Sequence, residues 1–189
     1  MNESFPHIDT SSNLFIALKD FLSKIDTTLP ANKQVKFYLT GGMLVYLYTG
    51  LERSYYIEGE FSHKVYITDG MSLLYTNEKG GERQIRFNKN DSSRFNLMHP
   101  NYLQDALLMP FDHLQNMQVY GLQAVDLCVS KIARLSSIDI EDIQLLVKNG
   151  LCHPTEIQER AQAALEEYMG DLSQFKDNLS LAVHYAKSV

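Results

Sequence analysis

The sequence has little cysteine. Only Cys128 and Cys152 occur among its 189 residues, and they are not spaced as C-x-x-C, the usual sign of a zinc or dithiol site. A cytoplasmic protein keeps such thiols reduced. We therefore predict two buried, reduced thiols in or beside helices, with a disulfide between them as the alternative.

Long apolar runs are missing as well. No stretch approaches the ~18 apolar residues of a transmembrane helix. Residues 1–10 are polar and acidic, unlike a signal peptide. We therefore expect a cytoplasmic protein with no membrane partner.

Positive charge is also scarce. Lys and Arg together number 17 against 23 Asp and Glu, which gives a net charge of −6. Broad, sequence-independent DNA binding depends on cations that neutralise phosphates, so it is not expected here. A local basic pocket for a nucleotide or an RNA end still fits. The chain has no Walker A or Rossmann fingerprint, no nucleophile motif and no metal-ligand spacing among its six histidines.

The apolar residues that are present, 44% of the chain, predict an α+β fold. Helical spacing occurs over residues 13–25, 43–48, 124–135, 138–148, 155–169 and 172–186. Strand patterns occur over residues 35–40, 55–61, 64–68, 72–76, 83–88, 106–109 and 118–121. The change of pattern near residue 122 predicts a mixed α/β domain over residues 1–122 and a C-terminal helical region, 123–189, packed on it.

Gly41 and Gly42 directly follow the first predicted strand. A paired glycine lets the backbone approach a phosphate closely and points N–H groups toward it. The alternative is a tight strand-to-helix turn with no ligand. Taken alone, the pair favours the turn.

Acidic side chains follow on the next strand. Tyr56, Glu58 and Glu60 share one face, since alternate residues of a strand point the same way. Glu58 and Glu60 could bind a divalent metal, or they could lie on a solvated sheet edge. Two residues along a strand span ~6.6 Å, whereas paired metal ions lie ~3.5–4 Å apart. Glu60 therefore cannot replace a carboxylate at position 56, unless a bulge at Gly59 changes the geometry.

A polar stripe marks the helix predicted over residues 124–135. Asp126, Ser130 and Arg134 recur every fourth residue, and Lys131 borders them. The two cations could neutralise a triphosphate. The spacing alone favours the alternative, an Asp–Arg face exposed to water.

Taken together, these blocks resemble a known family. Their order is T-G-G from Thr40, G-x-x-x-S from Gly50, h-x-E-x-x-F from Tyr56, D-L-x-V-S-K-x-A-R from Asp126 and D-x-E-D-I from Asp139. This order resembles the nucleotidyltransferase-like proteins related to the toxins of AbiEii-type abortive-infection (type IV toxin–antitoxin) systems. These are bacterial and archaeal members of the polymerase-β-like nucleotidyltransferase superfamily. The resemblance covers roughly residues 35–186 and is strongest over 126–146.

The resemblance implies a nucleotidyltransferase fold, a small mixed sheet with helices followed by a C-terminal helical bundle. It implies a cytoplasmic transferase that binds an NTP and Mg²⁺ and transfers a nucleotide to an RNA end or a protein hydroxyl. An antitoxin protein would be its partner. Gly41 and Gly42 would cradle the phosphates, and Lys131 and Arg134 would contact the nucleotide or the acceptor. The carboxylates that it implies for catalysis and metal binding are Glu58 and Asp105.

The same resemblance assigns the superfamily's first metal carboxylate to Tyr56. In such enzymes that carboxylate binds both Mg²⁺ ions, which align the attacking oxygen and stabilise the leaving pyrophosphate. A phenol with a pKa of ~10 is uncharged at neutral pH and cannot replace it. The sequence therefore leaves open an alternative, a catalytically degenerate nucleotidyltransferase fold (a pseudoenzyme) that acts as a binding or oligomerisation module.

Overall fold

A computed structural model describes residues 8–31, 34–88, 97–168 and 172–189. The helices are α1 (Asn13–Asp26), α2 (Gly41–Thr49), α3 (Ala124–Ile132), α4 (Ser137–Lys148), α5 (Pro154–Glu167) and α6 (Ser173–Ala186). The strands are β1 (Val35–Thr40), β2 (Tyr56–Phe61), β3 (Ser72–Thr76), β4 (Glu82–Phe87), β5 (Leu107–Leu108) and β6 (Met117–Gly121). No helix among the described residues is long and apolar enough to cross a membrane.

The chain divides into two compact units. The first comprises Met1–Asp91 and Leu107–Gly121, and the second comprises Ser92–Ala106 and Leu122–Val189. All six strands with α1 and α2 belong to the first unit, and α3 to α6 belong to the second. Residues 97–106 fall in the second unit, within the range that the sequence predicts for the first domain, and the predicted domain bounds stay a prediction.

The sheet of the first unit is mixed and has the order β3-β4-β2-β1-β6-β5. β1 pairs antiparallel with β2 and parallel with β6, so it occupies the middle of the sheet. Its apolar side chains on both faces are buried, which explains why its sequence reads as a nearly continuous apolar run. β4 lies parallel to β2 and antiparallel to β3.

Helix α1 follows from its apolar spacing and its cap. The hydroxyl of Ser12 accepts the backbone N–H of Phe15 at 3.2 Å, which satisfies one of the unpaired donors of the first turn. At the other end, the buried carboxylate of Asp26 accepts the backbone N–H groups of Gln115 and Asn116 at 3.1 and 2.9 Å. Asp26 therefore fixes the chain directly before β6.

Two helices of the second unit also begin at recognisable signals. Ser136 starts α4 with a reciprocal capping box to Asp139. α5 begins with Pro154 directly after its cap, His153. The buried amide of Asn178 on α6 donates to the carbonyl of Ile132 at 2.8 Å, which ties α6 to the end of α3.

The α+β prediction is confirmed, and so are most elements. Residues 64–68 form no strand, because only Ile67 is buried there while Tyr66 is 82% exposed. Helix α2 starts at Gly41, two residues before the predicted start. Residues 89–96 and the predicted end of α5 at Met169 lie outside the described residues.

Candidate functional site

The start of α2 lies directly behind β1, the central strand. Thr40 is the N-cap of α2, and its side chain makes no capping hydrogen bond. The first N–H groups of an α-helix have no partner within the helix. Both glycines lie within this first turn rather than before the helix, and their role in phosphate binding stays a prediction.

Glu58 lies against Gly41. In the antiparallel pairing of β1 with β2, Thr40 is opposite Glu58. A Cβ atom added to Gly41 would lie 1.8 Å from Oε2 of Glu58, and Gly41 has a φ of 68°. The positive φ therefore favours glycine at position 41, and a side chain there would have to displace the Glu58 carboxylate.

Two further side chains surround this point. The amide Nδ2 of Asn88, directly after β4, donates to Oε1 of Glu58 at 3.0 Å. A Cβ added to Gly42 would lie 2.5 Å from Cβ of Ser54. We call this cluster of Gly41, Gly42, Ser54, Glu58 and Asn88 the α2 site.

Tyr56 and Glu60 lie on β2, on either side of Glu58 along the strand. The pairing runs residue for residue from Thr40–Glu58 to Phe37–Phe61, so this part of the strand contains no bulge at Gly59. The ~6.6 Å spacing of alternate residues therefore applies. Tyr56 is 49% exposed and does not fill the role of a buried core residue.

Replacement of Gly41 by alanine tests this packing. Gly41→Ala is expected to lower the free energy of unfolding by about 2–3 kcal/mol. The positive φ accounts for ~1–2 kcal/mol of this loss, and the displacement of the Glu58 carboxylate accounts for the rest. Gly50→Ala is the matched control, because Gly50 has a similar φ of 71° and open space around its Cβ position. Urea denaturation of both variants measures the difference. Equal losses would contradict the contact with Glu58.

The two predicted cationic residues form ion pairs within the second unit. Nζ of Lys131, which is 8% exposed, lies 2.8 Å from Oδ2 of Asp142 and 3.8 Å from Oδ1 of Asp139. Arg134 donates through Nε and Nη2 to the two oxygens of Asp139, each at 2.8 Å. Both cations therefore help to join α3 to the start of α4.

Asp139 also accepts hydrogen bonds from Ser136, through its backbone N–H at 2.9 Å and its hydroxyl at 2.7 Å. Burial alone would raise the pKa of Asp139, but the bonds from Arg134 and Ser136 outweigh burial and lower this pKa. The carboxylate is therefore held in its charged form. Leu135, between the two helices, has a φ of 44°, and the network holds this turn.

The predicted carboxylate Asp105 shares an arginine with Asp126. Arg160 on α5 donates to both oxygens of Asp126 at 2.8 Å and to Oδ2 of Asp105 at 2.6 Å. Asp126 is 0% exposed, whereas the Asp105 side chain is 37% exposed. Burial lowers the pKa of Arg160, but the bonds to the two carboxylates raise it above its ordinary value.

The structure thus groups the predicted site residues by unit. Gly41, Gly42, Glu58 and Glu60 belong to the first unit, and Asp105, Lys131 and Arg134 belong to the second. Across the described residues, no group of three or more His, Cys, Asp or Glu side chains is placed to hold a metal ion. The assignment of these residues to phosphate, metal and catalysis stays a prediction.

Asn88 and Arg160 belong to these clusters and were not predicted. Asn88 could have been noticed as the first amide after a strand, since polar residues at strand ends commonly line sites. Arg160 gives no local signal, because its partners lie 34 and 55 residues away in the sequence.

A scan against protein-family models, a search of curated proteins and a search of solved structures each found no match to this chain. The α2 site and the ion pairs of the second unit are therefore the features from which a function can be inferred.

Proposed function

We propose that this chain is a nucleotidyltransferase-like protein of the toxin type that binds an NTP together with Mg²⁺ at the α2 site. The observation that carries the proposal is the Glu58 carboxylate lying against Gly41, at a helix start whose N-cap side chain makes no capping bond. This arrangement supports the proposal of a phosphate site and a metal ligand at the same place.

The phosphate part rests on the first turn of α2. Helix N-termini attract anions, because their N–H groups and the helix dipole both favour negative charge. The nine-residue helix is anchored by five buried residues, so its first turn is held in place: Met43, Leu44, Val45, Leu47 and Tyr48.

The metal part rests on Glu58. A carboxylate beside a phosphate site repels a triphosphate unless a cation lies between them. Mg²⁺ in proteins commonly takes one or two carboxylates, with its other ligands from substrate phosphates and water. Glu58, hydrogen-bonded to Asn88, fits that pattern of one carboxylate. Bound Mg²⁺ would supply the positive charge that joins Glu58 to the nucleotide.

The proposal has two further parts. The protein transfers the nucleotide to an RNA end or a protein hydroxyl, and an antitoxin controls it. They rest on the order of motifs that resembles the toxin family. The two-metal reaction needs a second carboxylate near Glu58, and Tyr56 stands at the position that the family assigns to it. We therefore expect binding to be easier to detect than turnover.

A second candidate function is a catalytically degenerate fold that acts as a binding or oligomerisation module. It is favoured by the ion pairs of the second unit. Lys131 is buried against Asp142, and Asp105 is bound by Arg160. Side chains that form such ion pairs within the second unit hold its segments together.

Calorimetry with each of the four NTPs tests the binding. When Mg²⁺ is present, titration of the wild-type protein with an NTP should release or absorb heat. When EDTA removes the Mg²⁺, the NTP should bind at least about tenfold more weakly, a loss of about 1.4 kcal/mol of binding free energy. Glu58→Gln should remove this dependence on Mg²⁺, because the amide neither holds the metal nor repels the triphosphate. Two control variants make the same change from Glu to Gln: Glu60→Gln, two residues along the same strand, and Glu82→Gln on β4. If no NTP binds in Mg²⁺, the proposal is wrong.

Labelled NTPs with cell extract separate the two candidate functions. Label on an RNA or protein acceptor that disappears with Glu58→Gln supports a transferase. Binding of NTP with no transferred label supports the degenerate module.

A further inference from the structure

The two cysteines lie side by side in the second unit. Cys128 is on α3, and Cys152 directly precedes His153, the cap of α5. Their Sγ atoms are 3.7 Å apart, although the residues are 24 positions apart in the sequence. Both are free thiols and both are buried. A disulfide has an S–S distance of ~2.05 Å, so the sulfurs need to approach by about 1.7 Å.

A cavity gives one of these residues access to solvent. A cavity of about 560 Å³ is lined by the turn between α4 and α5, including Gly150 and Cys152, and by Lys187 after α6. Cys152 is 8% exposed, whereas Cys128 is 0% exposed and does not line this cavity. A small oxidant therefore has a route to Cys152, and Cys128 lies directly behind it.

We propose that Cys128 and Cys152 form a reversible oxidation site, in which hydrogen peroxide reacts first at Cys152 and Cys128 then closes an intramolecular disulfide. In the first step Sγ of Cys152 attacks one peroxide oxygen, which gives a sulfenic acid and releases water. In the second step Sγ of Cys128 attacks the sulfenic sulfur, and a second water leaves. The two thiols lose two electrons and two hydrogens, and the peroxide is reduced to two waters.

The order of the two steps follows from the surroundings of each thiol. Burial, together with the contact with Cys152, raises the pKa of the Cys128 thiol well above its ordinary value. Cys128 therefore stays protonated and shielded, a poor first nucleophile. Once Cys152 is oxidised, Cys128 is the thiol already in contact with it.

The bond would connect α3 to the start of α5. These two helices already meet through Asp126 and Arg160, so closure needs no new contact between elements. A cross-link over 24 residues restricts the unfolded chain more than the folded one. Oxidation is therefore expected to stabilise the second unit rather than open it.

The test treats the full-length protein with hydrogen peroxide at increasing ratios. Intact-mass spectrometry under denaturing, non-reducing conditions is expected to show a loss of about 2 Da, and peptide mapping a Cys128–Cys152 link. The oxidised protein should melt several degrees higher, and dithiothreitol should reverse both changes. Intact free thiols, or gains of oxygen without a link between the two residues, would overturn the proposal.

Single variants test the order of steps. In Cys128→Ala, dimedone should trap a sulfenic acid on Cys152. In Cys152→Ala, Cys128 should remain unmodified at the same peroxide ratio. Faster oxidation of Cys128 in the second variant than of Cys152 in the first would contradict the assigned order. The wild-type mass measurement decides the proposal even if one variant folds poorly.

Discussion

Gly59→Ala is expected to lower the free energy of unfolding by about 3–5 kcal/mol, through backbone strain and overpacking together. Gly59 lies in β2 opposite Leu39 of the central strand and has a φ of 155°. A Cβ added there would lie 2.2 Å from the carbonyl oxygen of Tyr38 and 2.9 Å from two ring atoms of Phe37. The nearest atom belongs to the backbone of a buried strand, which cannot move without breaking the pairing of β1 with β2.

Urea denaturation followed by circular dichroism measures this loss. Gly80→Ala is the matched control, since Gly80 has a φ of 77° and nothing within 4 Å of its Cβ position. It should cost only ~1–2 kcal/mol. Adding Phe37→Leu to Gly59→Ala should restore little stability, because it relieves the ring contact and leaves the clash with the Tyr38 carbonyl. A full rescue would show that the ring, and not the backbone, demands glycine.

Gly59 also affects the α2 site, because it follows Glu58 in the chain. A shift of β2 away from β1 would move the Glu58 carboxylate from Gly41. Gly59→Ala should therefore weaken any Mg²⁺-dependent binding of NTP even in protein that remains folded.

Local patterns in the sequence predicted most of the elements. Ser12, Gly50 and Pro154 mark helix ends because each meets a local need: a side-chain acceptor, a left-handed backbone at φ 71°, and a residue without an N–H donor. These needs depend on neighbouring residues only. The predicted bounds therefore agree with the structure to within one or two residues for most helices.

The order of strands could not be predicted in this way. β2 pairs with β1 on one side and with β4 on the other, which brings Asn88 to Glu58 across 30 residues of sequence. No local pattern encodes that register. Local patterns therefore predict Glu58 and the glycine pair only as separate features; the family resemblance joins them in one site, and the pairing of β1 with β2 places Glu58 opposite Thr40.

The polar stripe of the helix predicted over residues 124–135 shows why local periodicity can mislead. Spacing alone favoured an exposed Asp–Arg face, and Arg134 is indeed 74% exposed. Asp126, on the same stripe, is 0% exposed, because Arg160 of α5 covers it. Because Arg160 is so distant in sequence, no pattern in the sequence of α3 indicates that it covers Asp126.

Asp126→Asn is the second large effect that we expect, a loss of about 3 kcal/mol of unfolding free energy. The substitution removes a buried charge that two bonds of Arg160 depend on, and the loss of one partner of a buried pair is strongly destabilising. Asp105→Asn removes the other carboxylate of the same arginine, at 37% exposure, and should cost no more than ~1 kcal/mol. Asp177→Asn, on the exposed side of α6, controls for a change of net charge.

Urea denaturation of the three variants, followed by NTP titration in Mg²⁺, separates structure from function. Adding Arg160→Gln to Asp126→Asn should recover part of the lost stability, because no charge then remains buried without its partner. If Asp105 is a metal ligand, as the family resemblance implies, Asp105→Asn should weaken NTP binding at nearly unchanged stability. If its role is only to hold Arg160, NTP binding should not change. Equal destabilisation by Asp105→Asn and Asp126→Asn would show that burial does not decide which carboxylate supports this arginine.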